Sequence, residues 1–574
     1  MKKSFLLFAG MMLCALASAQ FNFESIPFEN RYHMLDKSEL LVPRVASKAF
    51  VETLPPVGNI RAIAEWEPNQ AVMIGVYTTG TSTQNFGVPY TLIAQLSQYV
   101  PVITVVESSA AQTSVTNTYN SNGVNISNCS FVIAPLDSYW ARDYSPWFIM
   151  IDNSEVAIID FPYNRPSRPN DDNVPVVMAS HLGVDLYGMN VMHTGGNYMC
   201  DGIKMAAMTD LVIDENDYQV PPYTYDDVDT LFKQYMGVTN NYITTDPLGD
   251  YIKHIDCWGK IIDVDKIIIA SVPTTNVQYS EYEAMAAYWA NEVSSWGNNY
   301  QVYRVYEPSG QPYSNGLLMN KKYFMPTTSS TPNSNDLAAM AVYQQALPGY
   351  QIIGIYSSSW ASTDALHCRT HEVADKGMLY VQHQPTLDAQ PLLSQYTINA
   401  NVYALSGGTV LADSAWVKYS VNNGSWNQIS MTHPSGNLWT CNIPAPSAGD
   451  TIEYFIHASD NSPRSQTHPL IGAPDPHKFW IPMSASVPEK ESPLAIVFPN
   501  PAVDEIFIQM EDCNAPDVSI SLVNLLGIEV LSFNGKNNCS SMMKYNVSGI
   551  APGSYMLQIR SGEKMFAKKM MIIH

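Results

Sequence analysis

The chain has 574 residues, a length that at roughly 150 residues per domain argues for three or four folding units. Its 30 Lys and Arg against 52 Asp and Glu give a formal charge of −22, the wrong sign for a nucleic-acid or anionic-lipid partner. Charged residues are 14% and hydrophobic residues 46%, with 34 Tyr and 11 Trp, which excludes disordered and fibrous classes and implies large cores.

Residues 1–19 combine Lys2-Lys3, an apolar run from Phe5 to Leu16 and Ala17-Ser18-Ala19, the pattern of a secretory signal peptide too short to span a membrane. No other stretch reaches 18 apolar residues, so a soluble mature chain with no transmembrane segment is expected. Of 8 cysteines, removal of Cys14 leaves seven, an odd number that keeps at least one thiol out of any disulfide. Cys513 and Cys539 are the close pair suited to one. Residues 20–48 lack clear periodicity and read as a pro-segment or strap, with Arg44 as a candidate processing site.

Between residues 70 and 385 an apolar strand, a polar and aromatic loop, a second apolar strand and a helix-like stretch recur. The loops begin near Trp140, His193, His254, Tyr313 and His367, at steps of 53, 61, 59 and 54 residues. Near-equal steps of this length predict either a supersecondary unit repeated around an axis, which would bring all five loops to one centre, or an ordinary α/β sheet with coincidental spacing. Past Pro385 the pattern changes to short alternating strands such as Trp416–Val421 and Thr451–Ile456 between turns, as in an immunoglobulin-like β-sandwich. A Pro-, Ser- and Glu-rich linker follows at Ser484–Ser492, and then a last set of strands.

Each loop alone has an ordinary explanation: Arg142 and Asp143 as an ion pair, Gly195-Gly196 and Asn315-Gly316 as turns. His254-x-Asp256 on a strand would put both side chains on one face. His193, Cys200, His254 and Cys257 carry N and S donors but lack a Cys-x2-Cys type spacing, so no metal site is expected. Cys-His nucleophile chemistry fits better, with His254 beside the thiol if a ring closes. Asp143 and Asp256 converging on that thiol would suit a planar guanidinium, whose forked donors pair with carboxylates.

Trp140-Ala141-Arg142-Asp143-Tyr144-Ser145-Pro146-Trp147, His193-Thr194-Gly195-Gly196-Asn197, His254-Ile255-Asp256 and Leu366-His367-Cys368-Arg369-Thr370 resemble, in order, the signatures of the guanidino-group-modifying enzymes. Ala64-Glu65-Trp66-Glu67-Pro68 is similar to the opening of agmatine deiminases. Val497-Phe498-Pro499-Asn500-Pro501, Leu525-Leu526-Gly527 and Gly553-Ser554-Tyr555 resemble the type IX secretion sorting domain. Together with the signal peptide and the sandwich, the chain looks most like the secreted bacterial peptidylarginine deiminases.

The resemblance implies an α/β fold, a five-bladed pseudo-symmetric propeller (pentein) at 49–385, then an immunoglobulin-like domain at 386–483 and a β-rich sorting domain with its linker at 484–574. It also implies Cys368 as nucleophile, His254 as acid and base, Asp143 and Asp256 as guanidinium clamps, and Asn315 as the residue orienting the cysteine loop, with no cofactor. Arg165 matches the family's grip on a C-terminal carboxylate; Arg168 stands one place late, after Ser167. Trp140 and Tyr251 would line the slot for the arginine stem. His193-Thr194 stands where agmatine deiminases carry an acid before Gly-Gly, which favours substrates bearing a carboxylate.

The expected activity is therefore conversion of arginine residues in peptides or proteins, preferably C-terminal ones, to citrulline and ammonia through a thiouronium intermediate. The type IX secretion machinery is the expected partner, and the cell surface or medium the expected location. The net −9 of residues 201–265 would favour cationic substrates. The alternatives are an exported agmatine or free-arginine deiminase, and a catalytically inert surface adhesin.

Overall fold

The computed structural model describes residues 50–573 except 79–83, 250–251, 445, 484–494, 511–517, 525–527, 536–541 and 562–563. The expected signal peptide with Cys14, the expected strap with Arg44 and the expected linker, together with Tyr251, Leu525-Leu526-Gly527, Cys513 and Cys539, lie outside the described residues. The chain divides into two compact units, 1–483 and 484–574.

Residues 60–374 of unit one are built from sheets that share a strand pattern. Lys266–Ser271 lies antiparallel to Gly259–Asp263 and parallel to Gln301–Tyr306. Lys322–Thr327 stands likewise between Leu317–Met319 and Gln351–Tyr356, and Met205–Thr209 between Met199–Cys200 and Asn240–Thr244. Glu155–Asp160 pairs antiparallel with Trp147–Ile151 and parallel with Leu186–Gly188. In the fifth sheet Asn69–Thr78 is parallel to Val102–Val106 and antiparallel to His371–Ala374, which ties the end of the region to its beginning.

A parallel partner requires a crossover, and helices supply it. Tyr279–Asn291 bridges one pair and Ser334–Ala346 the next. Tyr225–Met236 and Ser334–Ala346 each start at a capping box, Thr224 with Asp227 and Asn333 with Asp336, which satisfies N–H groups that the first turn leaves without helical partners. Ile267, Ile268 and Ile269 are all fully buried, as expected of a strand covered on both faces rather than one.

From Leu379 the chain enters a two-sheet β-sandwich. One sheet runs Leu379–Gln382, Gln395–Ala404, Leu438–Pro444, Thr432–Ser435; the other is centred on Thr451–Ser459. Burial alternates along Gln395–Ala404, with Tyr396, Ile398, Ala400 and Val402 inward against Trp439, Tyr454 and Phe479. The sandwich is fastened to the preceding region by a two-pronged Arg464–Asp375 pair at 2.8 and 2.9 Å and by Lys266 with Asp475. Between them lies a cleft of about 580 Å³ walled in part by Trp66, Tyr380, Asn399 and Gln466.

Unit two is described by itself. Its sheets are Ala495–Phe498, Glu505–Met510, Met542–Asn546 and Glu529–Gly535, Val518–Asn524, Gly553–Ser561, Lys564–Ile572. Ile506, Ile508, Leu522, Leu557 and Ile559 fill its core.

Candidate active site

Four of the antiparallel strands are preceded by one buried helical turn: Ala141–Tyr144, Gly195–Asn197, Ile255–Cys257 and His367–Arg369. A single turn reverses the side-chain direction within three residues, so these loops aim polar groups inward before the strand begins. His254-x-Asp256 is accordingly not strand: His254 caps the turn and Asp256 lies inside it. The two side chains reach different partners, His254 facing Asp143 and Asp256 facing His367 and Cys368.

Asp143 and His254 are fully buried, with Asp143 Oδ1 3.7 Å from His254 Nδ1. The Gly-Gly turn packs its backbone onto this pair. A methyl at Gly196 would lie 2.6 Å from His254 Nδ1 and 2.9 Å from Asp143 Oδ1, so a side chain there would displace the catalytic candidates. Arg142 does not pair with its neighbour Asp143, as an ion-pair reading would have it. It turns the other way and binds Glu372 with two nitrogens, at 2.7 and 3.2 Å.

Cys368 Sγ lies 3.5 Å from Asp256 Oδ2 and accepts from Asn315 Nδ2 at 3.2 Å. Asn315 Nδ2 also donates to the Asp256 carbonyl at 3.0 Å, and its Oδ1 accepts from the backbone N–H groups of His367 and Cys368 at 3.0 and 3.3 Å. Asn315 therefore joins the Asp256 turn to the Cys368 turn, with all its bonds inside the protein. Burial pushes the Cys368 thiol up to about 11, and the charges of Asp256, Asp364 and Asp143 push the same way.

A second layer was not apparent from spacing. His367 Nδ1 meets Asp256 Oδ2 at 2.8 Å and Nε2 meets Glu65 Oε2 at 3.1 Å; the same Glu65 oxygen pairs with Lys260 Nζ at 2.6 Å. Burial pushes the Glu65 carboxyl up, but the charges of Lys260 and His367 outweigh it and hold it well below the usual range. Asp256 is likewise lowered, burial being overcome by the hydrogen bond and charge of His367. The sequence signal for this layer was Lys260 itself, a lysine inside the apolar run Trp258–Ile262, which needs a buried carboxylate to be tolerated there.

Trp140, Arg165 and Arg168 are buried, and Arg168 Cζ lies 4.8 Å from the centre of the Trp140 ring. Burial pushes the Tyr163 hydroxyl up; the charge of Asp143 adds to this while those of Arg168 and Arg165 oppose it. Among the described residues no group of three or more His, Cys, Asp or Glu is arranged to hold a metal ion.

The profile of the family described as Porphyromonas-type peptidyl-arginine deiminase matches residues 61–373, the span of the five sheets and all these loops. Profiles for a secretion system C-terminal sorting domain and for carbohydrate binding module family 56 match residues 496–573 and 397–467. A provisionally named agmatine deiminase of Shewanella baltica (strain OS223) is 22% identical over 275 residues, 41% of this chain and 73% of its own. A solved structure of a provisionally named agmatine deiminase superposes with TM-score 0.50 at 17% identity, covering 56% of this chain and 99% of that one, which places the first region in the pentein fold. A provisionally named arginine deiminase from Porphyromonas gingivalis gives TM-score 0.48 at 18% identity over 55% of this chain and 98% of its own. The sorting domain marks the chain for export to the cell surface or beyond. No helix among the described residues is long and apolar enough to cross a membrane.

Proposed function

This chain belongs to the Porphyromonas-type peptidyl-arginine deiminase family, and from that premise we propose that it hydrolyses the guanidino group of arginine in peptides and proteins, preferably at a free C-terminus, to citrulline and ammonia. The observation that carries the reading is the convergence of Asp143, His254, Asp256, Asn315 and Cys368, from four separate loops, on buried positions.

In this reading Asp143 and Asp256 bind the guanidinium and keep its central carbon electron-poor. The cation that they attract also opposes the raised pKa of Cys368, so the substrate itself promotes the thiolate. Sulfur attacks the central carbon and a carbon–nitrogen bond breaks; His254 gives a proton to the departing ammonia. His254 then takes a proton from water, whose oxygen adds to the thiouronium carbon. The carbon–sulfur bond breaks, leaving citrulline and the regenerated cysteine. Asn315 holds the sulfur in line, and Arg165 with Arg168 receives the substrate carboxylate, Trp140 flanking the stem.

The five sheets are on this reading five blades of one ring, with catalytic, sandwich and sorting domains at about 49–385, 386–483 and 484–574. The match of residues 397–467 to a carbohydrate binding module supports a second role, in which the immunoglobulin-like sandwich anchors the enzyme to a glycan. Retention of the full chain on an array of neutral oligosaccharides tests that role, and no retention on any of them removes it. The main reading is tested by supplying agmatine, free arginine and a peptide ending in arginine side by side. Fastest citrulline release from the peptide is expected; agmatine as the best substrate would replace the reading with an exported agmatine deiminase.

A further inference from the structure

The active-site turn carries a second thiol. Cys257 follows Asp256 in the Ile255–Cys257 turn and is as buried as Cys368. The two sulfurs share their neighbours on both sides. Cys257 Sγ lies 3.6 Å from Asp256 Oδ1 and 3.6 Å from the Thr363 carbonyl oxygen; Cys368 Sγ lies 3.5 Å from Asp256 Oδ2 and 3.9 Å from the same Thr363 oxygen. Both sulfurs thus face the two oxygens of one carboxylate and the same carbonyl, and a hydrogen bond from Cys257 to Cys368 works against the rise of the Cys368 pKa. Nothing in the deimination chemistry uses this thiol. The chain is exported to where oxidants are not buffered by a cytosolic thiol pool, and a nucleophilic cysteine there is lost once it is oxidised past the sulfenic acid stage.

We propose that Cys257 is a resolving thiol that converts oxidised Cys368 into a reversible Cys257–Cys368 disulfide, making the active site a redox-switched one. The oxidant is a peroxide, small and neutral enough to follow the guanidinium's path. Peroxide transfers one oxygen to Cys368 sulfur, giving sulfenic acid, and is itself reduced to water. The Cys257 sulfur then attacks the Cys368 sulfur; hydroxide leaves, takes up the Cys257 proton as water, and the sulfur–sulfur bond forms. Two thiols have lost two electrons to one peroxide. A dithiol restores both cysteines by exchange. The deiminase reading supplies the activity readout, but the linkage itself is read by mass.

The test treats the full chain with hydrogen peroxide, removes the excess with catalase, and splits the sample for peptide mass mapping and for citrulline release before and after dithiothreitol. The expected result is a cross-linked pair of peptides containing Cys257 and Cys368, activity below about a tenth, and recovery of more than half with dithiothreitol. Cys257→Ala and Cys257→Ser, tested in parallel so that a folding defect in one is recognised, should accumulate sulfinic acid on Cys368 and fail to recover. Sulfinic acid on Cys368 of the unmodified sequence without a cross-link, or full recovery of both Cys257 variants, overturns the proposal. If no guanidine is turned over at all, the deiminase reading fails while the mass map still decides the disulfide.

Discussion

The centre of the catalytic region and the core of the β-sandwich both bury ionisable groups, and they do so in opposite ways. Around Cys368 the ionisable groups are set against partners that can carry the opposite charge: Glu65 between Lys260 and His367, Asp256 on His367, Arg142 on Glu372. In the sandwich His383, His468 and His477 form a cluster with ring centres 4.9 to 5.6 Å apart, and among the described residues no carboxylate is hydrogen-bonded to any of them. Burial pushes His383 down to about 4, and pushes His468 and His477 well below the ordinary value. Charges held in pairs give a site its field and its geometry; neutral rings give a core only packing and a few hydrogen bonds. The first arrangement is what a guanidinium-binding site needs, and removing either partner should be costly. The second should be sensitive to acid.

The sharpest break between the two regions is chemical. Cys368→Ala should lower citrulline formation by at least about 10⁴-fold, as loss of a covalent nucleophile does, while the thermal midpoint stays within a degree or two. Steady-state kinetics beside calorimetry reads both. Next in size, Glu65→Gln leaves Lys260 buried without its countercharge and should cost about 3–5 kcal/mol in urea unfolding. A loss under 1 kcal/mol would mean that the pair is not a buried charge pair in solution.

Arg165→Ala should cut kcat/KM on a peptide ending in arginine by about 100-fold, in line with about 3 kcal/mol for a desolvated charge-assisted contact. The unmodified sequence should lose as much when the peptide is amidated. Equal rates on amidated and free peptides would refute the carboxylate pocket.

Acid separates the regions by pH window. A histidine whose folded pKa is lowered favours the neutral form, so the unfolded chain takes up protons first as pH falls below about 6.5. Stability contributed by His383 is thus present above pH 6.5 and lost down to about 4, on the order of 3 kcal/mol, whereas Glu372, held down to about 2 with burial overcome by Arg142, loses its share only below its unfolded value near 4.5. Urea midpoints at pH 7, 5.5 and 4.5 should fall for the unmodified sequence and fall less for His383→Gln. Identical slopes for the two would remove the histidines from the explanation. The smallest effect is on thiol reactivity: iodoacetamide should modify substrate-free Cys368 with a rate still rising above pH 9. A plateau below pH 8 would contradict a thiol raised by burial.

How much of this was legible in the sequence follows the same divide. The sandwich strands were readable because one face is buried and the alternation of Gln395–Ala404 is printed in the residues. The loops were readable as an ordered set of motifs at near-equal steps because each carries its polar residues in one short run, and Asp143, His254, Asp256, Asn315 and Cys368 are all buried. The second layer was not. Glu65, Lys260 and His367 are brought together from the loop before Asn69–Thr78, the strand Gly259–Asp263 and the turn His367–Arg369, and no local spacing encodes a contact between residues 65 and 367. The His254-x-Asp256 pair was placed on a strand because alternate residues share a strand face, but the single helical turn there obeys a different period. The sandwich's match to a carbohydrate binding module was also invisible to alternation, which specifies a sheet face and not what the face holds.

The central claim is that Cys368, set between Asp256 and Asn315, opens the guanidino group of a peptide arginine. The most direct measurement supplies a peptide ending in arginine to the unmodified chain and to Cys368→Ala and follows citrulline and ammonia together. The account predicts equal amounts of both products from the first and neither from the second; citrulline formed by Cys368→Ala, or none formed by the folded unmodified chain from peptide, arginine or agmatine, would contradict it.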